Sequence, residues 1–459
     1  MAGDAHRTTV GDYVTLVRGT TYKGALVGEP GPALLGLGSI EPGGGFRSGN
    51  YKTYGGDCPK ELMLFPGDIY ASLKGATKDG KMIGSVARVP PSVSTGRLTQ
   101  DTVKLVFLDH DPVAETYLYW VLRTPQYRDY CAGHAMGSAV VALSRRDFLS
   151  YPIPPLTTQR RMVITLLDAM EEKIELNRRM NETLEAMAQA LFKSWFVDFL
   201  PVRTNMEARN RKARTQTGDP IRAKAKGCDP GLPKHIADLF PDSFEDSEQG
   251  KIPKGWEARS LYETAEFING AAFKSKDFCD PSRGLPIVKI AELKNGISAQ
   301  TKFSERVLGP KQLIDKGELL YSWSGSPDTS LDAFLWTKGR GLLNQHIFKV
   351  VTPSIAEKRF VYYLLKFLRP TLVEIARNKQ TTGLGHVTIA DMKRLYVCSP
   401  PIKVLGAFDS QVAPLFDRAF KNTTQNQIAT ALRDNLLPKL ISGELRMKDG
   451  ERVCERAGA

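Results

Sequence analysis

Apolar residues recur at alternating steps of four and three along two stretches of this chain. Val163, Leu167, Met170, Ile174, Asn177, Asn181 and Leu184 form one ladder, and adding 245 to each number gives Phe408, Val412, Leu415, Ala419, Asn422, Asn426 and Ala429. That spacing is the seam of a coiled-coil helix. It predicts a helix from Thr158 to about Phe196, ~60 Å long at ~1.5 Å per residue, and a second copy near the C-terminus. The flanks of the first ladder are charged (Glu171, Glu172, Lys173, Glu175, Arg178, Arg179, Glu182, Glu185), so the seam is the face that needs a partner. The partner is either another molecule or the second copy; the duplication favours the second copy, packed antiparallel. Asn177, Asn181, Asn422 and Asn426 then meet near the middle, where buried amides cost stability but fix register; solvated asparagines on a frayed seam are the alternative. Pro414 falls within the second stretch and predicts a kink or a first turn there.

The repeat extends beyond the ladders. Arg18-Gly19 is echoed by Asn269-Gly270, Gly67-Asp68-Ile69-Tyr70-Ala71-Ser72 by Gly317-Glu318-Leu319-Leu320-Tyr321-Ser322, Gly137 by Gly383, and Pro154-Pro155-Leu156 by Pro400-Pro401-Ile402. Short β-type runs cut by glycine and proline (Tyr13 to Val17, Leu62 to Phe65, Gly67 to Tyr70, Val103 to Phe107) precede a helix expected over Ala114 to Tyr130. Tyr151-Pro152-Ile153-Pro154-Pro155 is an extended connector, because each X-Pro step disfavours helix in the residue before it. The predicted fold is α+β: two globular units, each followed by a proline pair and a long helix, in an internal repeat. The expected boundaries are a first globular unit over 1–156, a first helix over 157–200, a linker over 201–250, a second globular unit over 251–401, and a second helix with a C-terminal tail over 402–459. Within the linker, Arg203, Arg209, Arg211, Lys212, Arg214, Arg222, Lys224 and Lys226 make a basic stretch, readable as a solvated linker or as an arm touching phosphate.

Composition sharpens this only a little. The formal charge of +13 suits a polyanionic partner, but nucleic acid, a ribosome or a membrane surface satisfies it equally. No apolar run approaches the ~18 residues of a membrane span, and Met1 to Thr20 has no apolar core of a secretory leader. Six scattered cysteines, without a Cys-x-x-Cys pair, read as free thiols of a reducing cytoplasm ahead of zinc sites or disulfides. Six distant histidines offer no i,i+4 metal pair. Gly75 to Lys81 imitates the start of a P-loop, but Met82 replaces the hydroxyl that holds magnesium and Ile83 to Val89 reads as strand where a helix should follow. Ser399-Pro400-Pro401-Ile402 lacks the aromatic of an amino-methyltransferase loop, and Gly36-Leu37-Gly38 lacks a βαβ context. A long chain with a duplicated frame and no catalytic constellation reads as a reader, not a catalyst.

Candidate reading residues lie in the loops after the matched strands: Lys74, Lys78, Lys81 and Arg88 in the first unit, and Trp323, Ser324, Ser326, Arg340, Asn344, Gln345 and His346 in the second. Arg and Lys suit guanine, Asn and Gln suit adenine, and small hydroxyls suit phosphate or base edges.

Three segments carry a family resemblance. Phe192-Lys193-Ser194-Trp195-Phe196-Val197-Asp198-Phe199 closes the first helix. Leu239-Phe240-Pro241-Asp242-Ser243-Phe244 is followed by Gly250-Lys251-Ile252-Pro253-Lys254-Gly255-Trp256, and Leu437-Pro438-Lys439-Leu440-Ile441-Ser442-Gly443-Glu444-Leu445 lies near the end. Together they resemble the conserved segments of the DNA specificity subunits of type I restriction-modification enzymes. The resemblance implies two target-recognition domains joined by two conserved helices in an antiparallel coiled coil, a pseudo-twofold frame. Each domain is then expected to read one half of a bipartite, asymmetric site in double-stranded DNA, with the helices setting the gap. It further implies two methyltransferase subunits docked on the frame, joined by restriction/translocase subunits for cleavage. This chain itself is expected to be non-catalytic and cytoplasmic and to hold no cofactor, with S-adenosylmethionine, ATP and Mg²⁺ belonging to the partner subunits.

Overall fold

The computed structural model describes residues 9–49, 51–75, 80–137, 141–216, 231–247, 250–380 and 383–442. They form two compact units, one comprising the chain to Glu175 together with the segment from Asn426, the other Leu176–Gln425.

The first unit begins with β1 (Val14–Arg18), β2 (Ala33–Leu35), β3 (Met63–Leu64), β4 (Ile69–Ser72), β5 (Val86–Arg88), β6 (Gly96–Leu98) and β7 (Thr102–Phe107). Helices α1 (Pro112–Val121), α2 (Pro125–His134) and α3 (Arg145–Leu149) follow, and then α4 (Thr158–Phe196), whose first half belongs here. A four-stranded antiparallel sheet, β1-β7-β4-β5, lies beside a three-stranded one, β2-β6-β3, in which β2 and β6 run parallel. All of β4 is buried because both faces are covered. Ile69 and Ala71 face the helix-side core with Tyr117 and Trp120, while Tyr70, one step out of phase, joins Leu35, Leu64 and Leu98 of the smaller sheet.

The second unit repeats this plan. After α5 (Leu200–Gln216) and α6 (Lys234–Ala237) come β8 (Phe244–Ser247), β9 (Gly250–Pro253), β10 (Glu257–Ser260), β11 (Glu266–Asn269) and β12 (Leu285–Val288). Then follow α7 (Ile290–Asn295), β13 (Phe303–Ser304), β14 (Leu313–Ile314), β15 (Leu319–Ser322), β16 (Ser324–Gly325), α8 (Pro327–Ser330), β17 (Asp332–Leu335), β18 (Gly341–Leu343) and β19 (Ile347–Val351). Helix α9 (Ile355–Asn378), β20 (Gly385–His386), α10 (Ile389–Arg394), β21 (Tyr396–Ser399) and α11 (Ile402–Ser442) complete the chain's elements. The sheet β11-β19-β15-β17 matches the first unit's larger sheet, and β13-β12-β18-β14, with β12 and β18 parallel, matches the smaller. Leu319 and Tyr321 face the helix-side core, and Leu320 faces the small sheet with Val288 and Leu343.

Local chemistry explains why the two hairpin motifs agree. Gly67 and Gly317 hold φ of 95° and 87°, a region open to glycine but costly for other residues. The next residue is acidic in both. Asp68 accepts from the Phe65 amide at 2.8 Å and the Lys104 ammonium at 2.6 Å; Glu318 accepts from the Asp315 amide at 2.9 Å and pairs with Lys349 at 2.6 Å. Each lysine also donates to a backbone carbonyl, Met63 in one unit and Leu313 in the other.

Helices α4 and α11 run antiparallel within each unit. In the first, Asn426 Nδ2 donates to the Ile174 carbonyl at 3.0 Å, and Ile164, Leu167, Leu436 and Leu437 share one core. In the second, Asn422 Nδ2 donates to Asn181 Oδ1 at 2.9 Å, Asn181 Nδ2 donates to Thr423 Oγ1 at 3.0 Å, and the rings of Phe192 and Phe408 lie 6.1 Å apart. Asn177 and Asn422 are both buried.

Three expectations need correction. The helix expected over Ala114 to Tyr130 is two helices, because Pro125 cannot donate into the first and instead starts the second, with Thr124 Oγ1 accepting from the Tyr127 amide at 3.3 Å. Pro414 does not mark a first turn; α11 runs through it. The residue is exposed, so the Ser410 carbonyl deprived of its helical donor faces water. The stretch 201–250, expected as a linker, contains α5, α6 and β8. Val202, Ile236 and Phe240 are buried with Trp195 and Trp256, and Asn205 Nδ2 donates to the carbonyls of Ala237 and Phe240, both at 2.9 Å.

Candidate functional site

Both units build the same turn at one end of their sheets. Strand β6 leads to Thr99, Gln100 and Asp101 form a two-residue turn, and Thr102 opens β7; the Thr102 amide closes the turn on the Thr99 carbonyl at 3.1 Å. In the second unit β18 leads to Asn344, then Gln345-His346, then Ile347 of β19, closed by the Ile347 amide on the Asn344 carbonyl at 3.1 Å. A glycine after the first strand of each larger sheet seats the turn. The Gly19 amide donates to the Thr102 carbonyl at 3.0 Å, and the Gly270 amide to that of Ile347 at 3.2 Å. A Cβ on Gly19 would sit 1.9 Å from the Thr99 carbonyl oxygen, and one on Gly270 2.2 Å from that of Asn344. Only glycine permits that approach. Gly270→Ala is therefore expected to cost about 1–3 kcal/mol by forcing the turn outward, read as a lower urea midpoint at unchanged slope; a shift under about 0.5 kcal/mol, the scale of an ordinary surface change, would show the approach to be dispensable.

The strand-end loops beside the turn also correspond. The Leu143 amide donates to the Leu73 carbonyl at 2.9 Å, as does the Val387 amide to that of Trp323 at 2.9 Å; Lys74 bridges Ala142, and Ser324 bridges His386. What differs is the side chains. In the first unit a cleft of about 490 Å³ is lined by Arg18, Gly19, Thr20, Thr21, Lys74 and Gln100. Lys74 Nζ pairs with Asp101 at 3.1 Å, while Arg18 and Gln100 are exposed. One lip is braced from below by Arg97, only 3% exposed, whose guanidinium donates to Thr20 Oγ1 and the Thr21 carbonyl, both at 3.1 Å. In the second unit the Trp323 indole stacks on Phe348 with centroids 5.6 Å apart and lies 5.7 Å from the His346 ring. Trp323 Nε1 donates to Asn269 Oδ1 at 3.3 Å, and Gln345 Nε2 lies 3.0 Å from His346 Nε2.

The structure thus gathers Trp323, Ser324, Asn344, Gln345 and His346 on one edge and leaves Lys74 on the corresponding edge of the other unit. Ser326 stands at the N-cap position of the short helix α8 nearby. Arg340 precedes β18 and Asn344 follows it, so Arg340 lies at the opposite end of that strand. Lys81 is exposed on the loop before β5, where its carbonyl accepts from Arg128. Lys78 lies outside the described residues. Arg88 is a correction: it sits opposite Ile69, at the far end of β4 from Lys74, and is committed to α4. Its guanidinium meets Asp168 at 2.7 Å and Glu171 at 3.2 Å and covers the Tyr119 ring at 4.5 Å. The sequence reading missed Arg18 and Gln100. Adding the ladder's offset of 245 to Gln100 lands on Gln345, a signal that was available.

Strong electrostatic perturbations lie elsewhere and serve packing. Burial pushes the Cys398 thiol up to about 12 and raises that of Cys131, the opposite of an activated thiolate. Among the described residues no cluster of three or more His, Cys, Asp or Glu is placed to hold a metal ion, and no helix is long and apolar enough to cross a membrane. The edges offer cations, amides, hydroxyls and an aromatic face, which are the groups that contact phosphates and base edges.

Comparisons with known proteins agree in direction. Residues 253–433 match the family model for the type I restriction modification DNA specificity domain. The type I restriction enzyme MjaIX specificity subunit of Methanocaldococcus jannaschii is 26% identical over 349 residues, covering 74% of this chain and 71% of the relative. The HindI specificity subunit of Haemophilus influenzae is 26% identical over 322 residues, covering 65% and 69%. In fold, the crystal structure of a type I restriction-modification system S subunit from M. genitalium matches 96% of this chain and 97% of its own, at a TM-score of 0.52 and 13% identity.

Proposed function

From the chain's similarity to the DNA specificity subunits of type I restriction-modification enzymes, we propose that it is one of them and reads a two-part, asymmetric site in double-stranded DNA, each globular unit reading one half. The observation that carries this reading is the duplicated turn. One backbone scaffold recurs in both units with the glycine, the closing hydrogen bond and the strand-end loop conserved, while the side chains displayed around it differ. A repeated frame with divergent display suits two different half-sites, since direct readout depends on which donors and acceptors reach the base edges. Lys74, Trp323, Ser324, Ser326, Asn344, Gln345 and His346, with Arg18 and Gln100, are the contact residues we assign. Lys81 and Arg340 fall to the periphery, as phosphate contacts.

The long helices then serve as a rigid spacer, with the asparagine pairs fixing register. Two methyltransferase subunits dock on this frame and carry S-adenosylmethionine. Restriction/translocase subunits, using ATP and Mg²⁺, join for cleavage, all in the cytoplasm where the DNA is. This chain orients those enzymes and performs no chemistry itself.

Single-molecule methylome sequencing tests the reading directly. DNA from cells expressing this chain with its cognate methyltransferase subunit should carry a new N6-methyladenine motif in two parts with a fixed gap, absent from cells lacking the chain. An unchanged methylome, with both proteins present and associated, would overturn it.

A further inference from the structure

Gln100 and Gln345 occupy the same position of the same turn in two units whose other displayed residues have diverged. We infer that they are equivalent specificity residues, each reading an adenine through its major-groove edge, one in each half of the DNA target; this rests on the function proposed above.

The fold gives no reason for glutamine at this position. Turn positions of this kind select for glycine, proline, asparagine or aspartate on backbone grounds, and neither glutamine is buried. The neighbours that the backbone does demand, Gly19 and Gly270, are explained by the carbonyls they approach. The residue after each glutamine has changed from Asp101 to His346, and the one before it from Thr99 to Asn344. The surrounding display has changed from Arg18 and Lys74 to Asn269 and Ser324. Glutamine alone persists among the four positions of the turn, Thr99 to Thr102 against Asn344 to Ile347.

Its chemistry is specific. A primary amide offers one acceptor and two N–H donors. That set matches the N6 amino group and N7 of adenine, a bidentate pairing that no other base presents in the major groove. In the second unit Gln345 Nε2 lies 3.0 Å from His346 Nε2. With the imidazole nitrogen accepting, one amide N–H is held, and Oε1 and the second N–H remain for the base. In the first unit the acidic neighbour Asp101 is paired with Lys74, so its charge is offset close to the DNA backbone. A two-residue turn is also narrow enough to enter a groove about 12 Å wide.

The test uses the chain assembled with its methyltransferase subunits, selecting from a random duplex library, for wild type, Gln100→Ala and Gln345→Ala. Wild type should return a two-part motif; failure here, with the complex intact, would sink the proposed function and not merely this inference. Given that motif, Gln345→Ala should relax one adenine position in one half, lowering discrimination there roughly five- to hundred-fold, and leave the other half intact. Gln100→Ala should do the same in the opposite half. The inference is overturned by unchanged motifs, by relaxation at a position other than adenine, or by uniform weakening on all sequences with no change in preference, which is the signature of a phosphate contact.

Discussion

Phe408→Ala is expected to destabilise the second unit by about 3–5 kcal/mol, the cost of deleting a fully buried aromatic side chain whose surroundings relax only in part. Phe408 is fully buried, and its ring lies 4.9 Å from Phe196, 5.8 Å from Trp195, 6.1 Å from Phe192 and 6.2 Å from Tyr363. It thereby joins the end of α4, the start of α11 and α9 in one aromatic cluster, and edge-to-face ring pairs of this kind add to the area term. At about 2–4 °C per kcal/mol for a unit of this size, the loss is large enough to read as a clear drop in melting temperature. Four of the five tryptophans, Trp195, Trp256, Trp323 and Trp336, lie in the second unit, so intrinsic fluorescence follows its unfolding. Phe408→Leu, which keeps most of the volume, should recover a large part of the loss. A shift below about 1 kcal/mol, the centre of ordinary point-mutation effects, would mean the cluster is loose enough to collapse around the gap.

Phe408 is also the first rung of the second ladder, and the contrast with other residues shows what a sequence can disclose. The long helices were legible because a seven-residue rhythm sustained over many turns has no competing explanation. The repeat was legible where the backbone restricts the choice of residue: Gly67 and Gly317, or Gly137 and Gly383, all hold positive φ. Position 125 was misread because a helix break depends on a proline finding a capping residue before it, here Thr124, a choice that the similar apolar pattern of α9 resolves differently around Pro370. Arg88 was misassigned for a deeper reason. An arginine after a strand looks free in sequence, and its partners Asp168 and Glu171 lie some eighty positions away on a helix whose facing could not be known. Arg97, buried under the Thr20 lip, was invisible on the same grounds. Local rules reach the scaffold; the division of cations between structure and recognition needs the tertiary contacts.

That division sets up the second large effect, at Glu171. The carboxylate gathers Arg123 at 2.6 Å, Arg88 at 3.2 Å and Arg433 at 3.9 Å, and accepts from the Tyr119 hydroxyl at 3.2 Å. The Arg123 side chain is only 5% exposed. Removing the carboxylate strands that guanidinium among Tyr119, Trp120 and the Gly44 carbonyl, and a buried charge deprived of its partner costs about 3–5 kcal/mol; with Arg88 still paired to Asp168, the lower end is expected for Glu171→Ala. Burial alone would raise the Glu171 carboxyl, but Arg123 and Arg88 together hold it below its ordinary value of 4.5. The sign follows from linkage. A carboxylate depressed in the folded state contributes stability that is fully present above the ordinary value and is lost as pH falls through the folded one. The stability difference between wild type and Glu171→Gln should therefore stay level above about pH 5–6, where the carboxylate is ionised in both states, and shrink below 4.5. Urea unfolding of both proteins across that range, followed by near-ultraviolet circular dichroism of the first unit's buried tyrosines, measures it. A difference that grew on acidification would reverse the assignment, placing a protonated Glu171 in the folded unit and leaving Arg123 to be neutralised by another group.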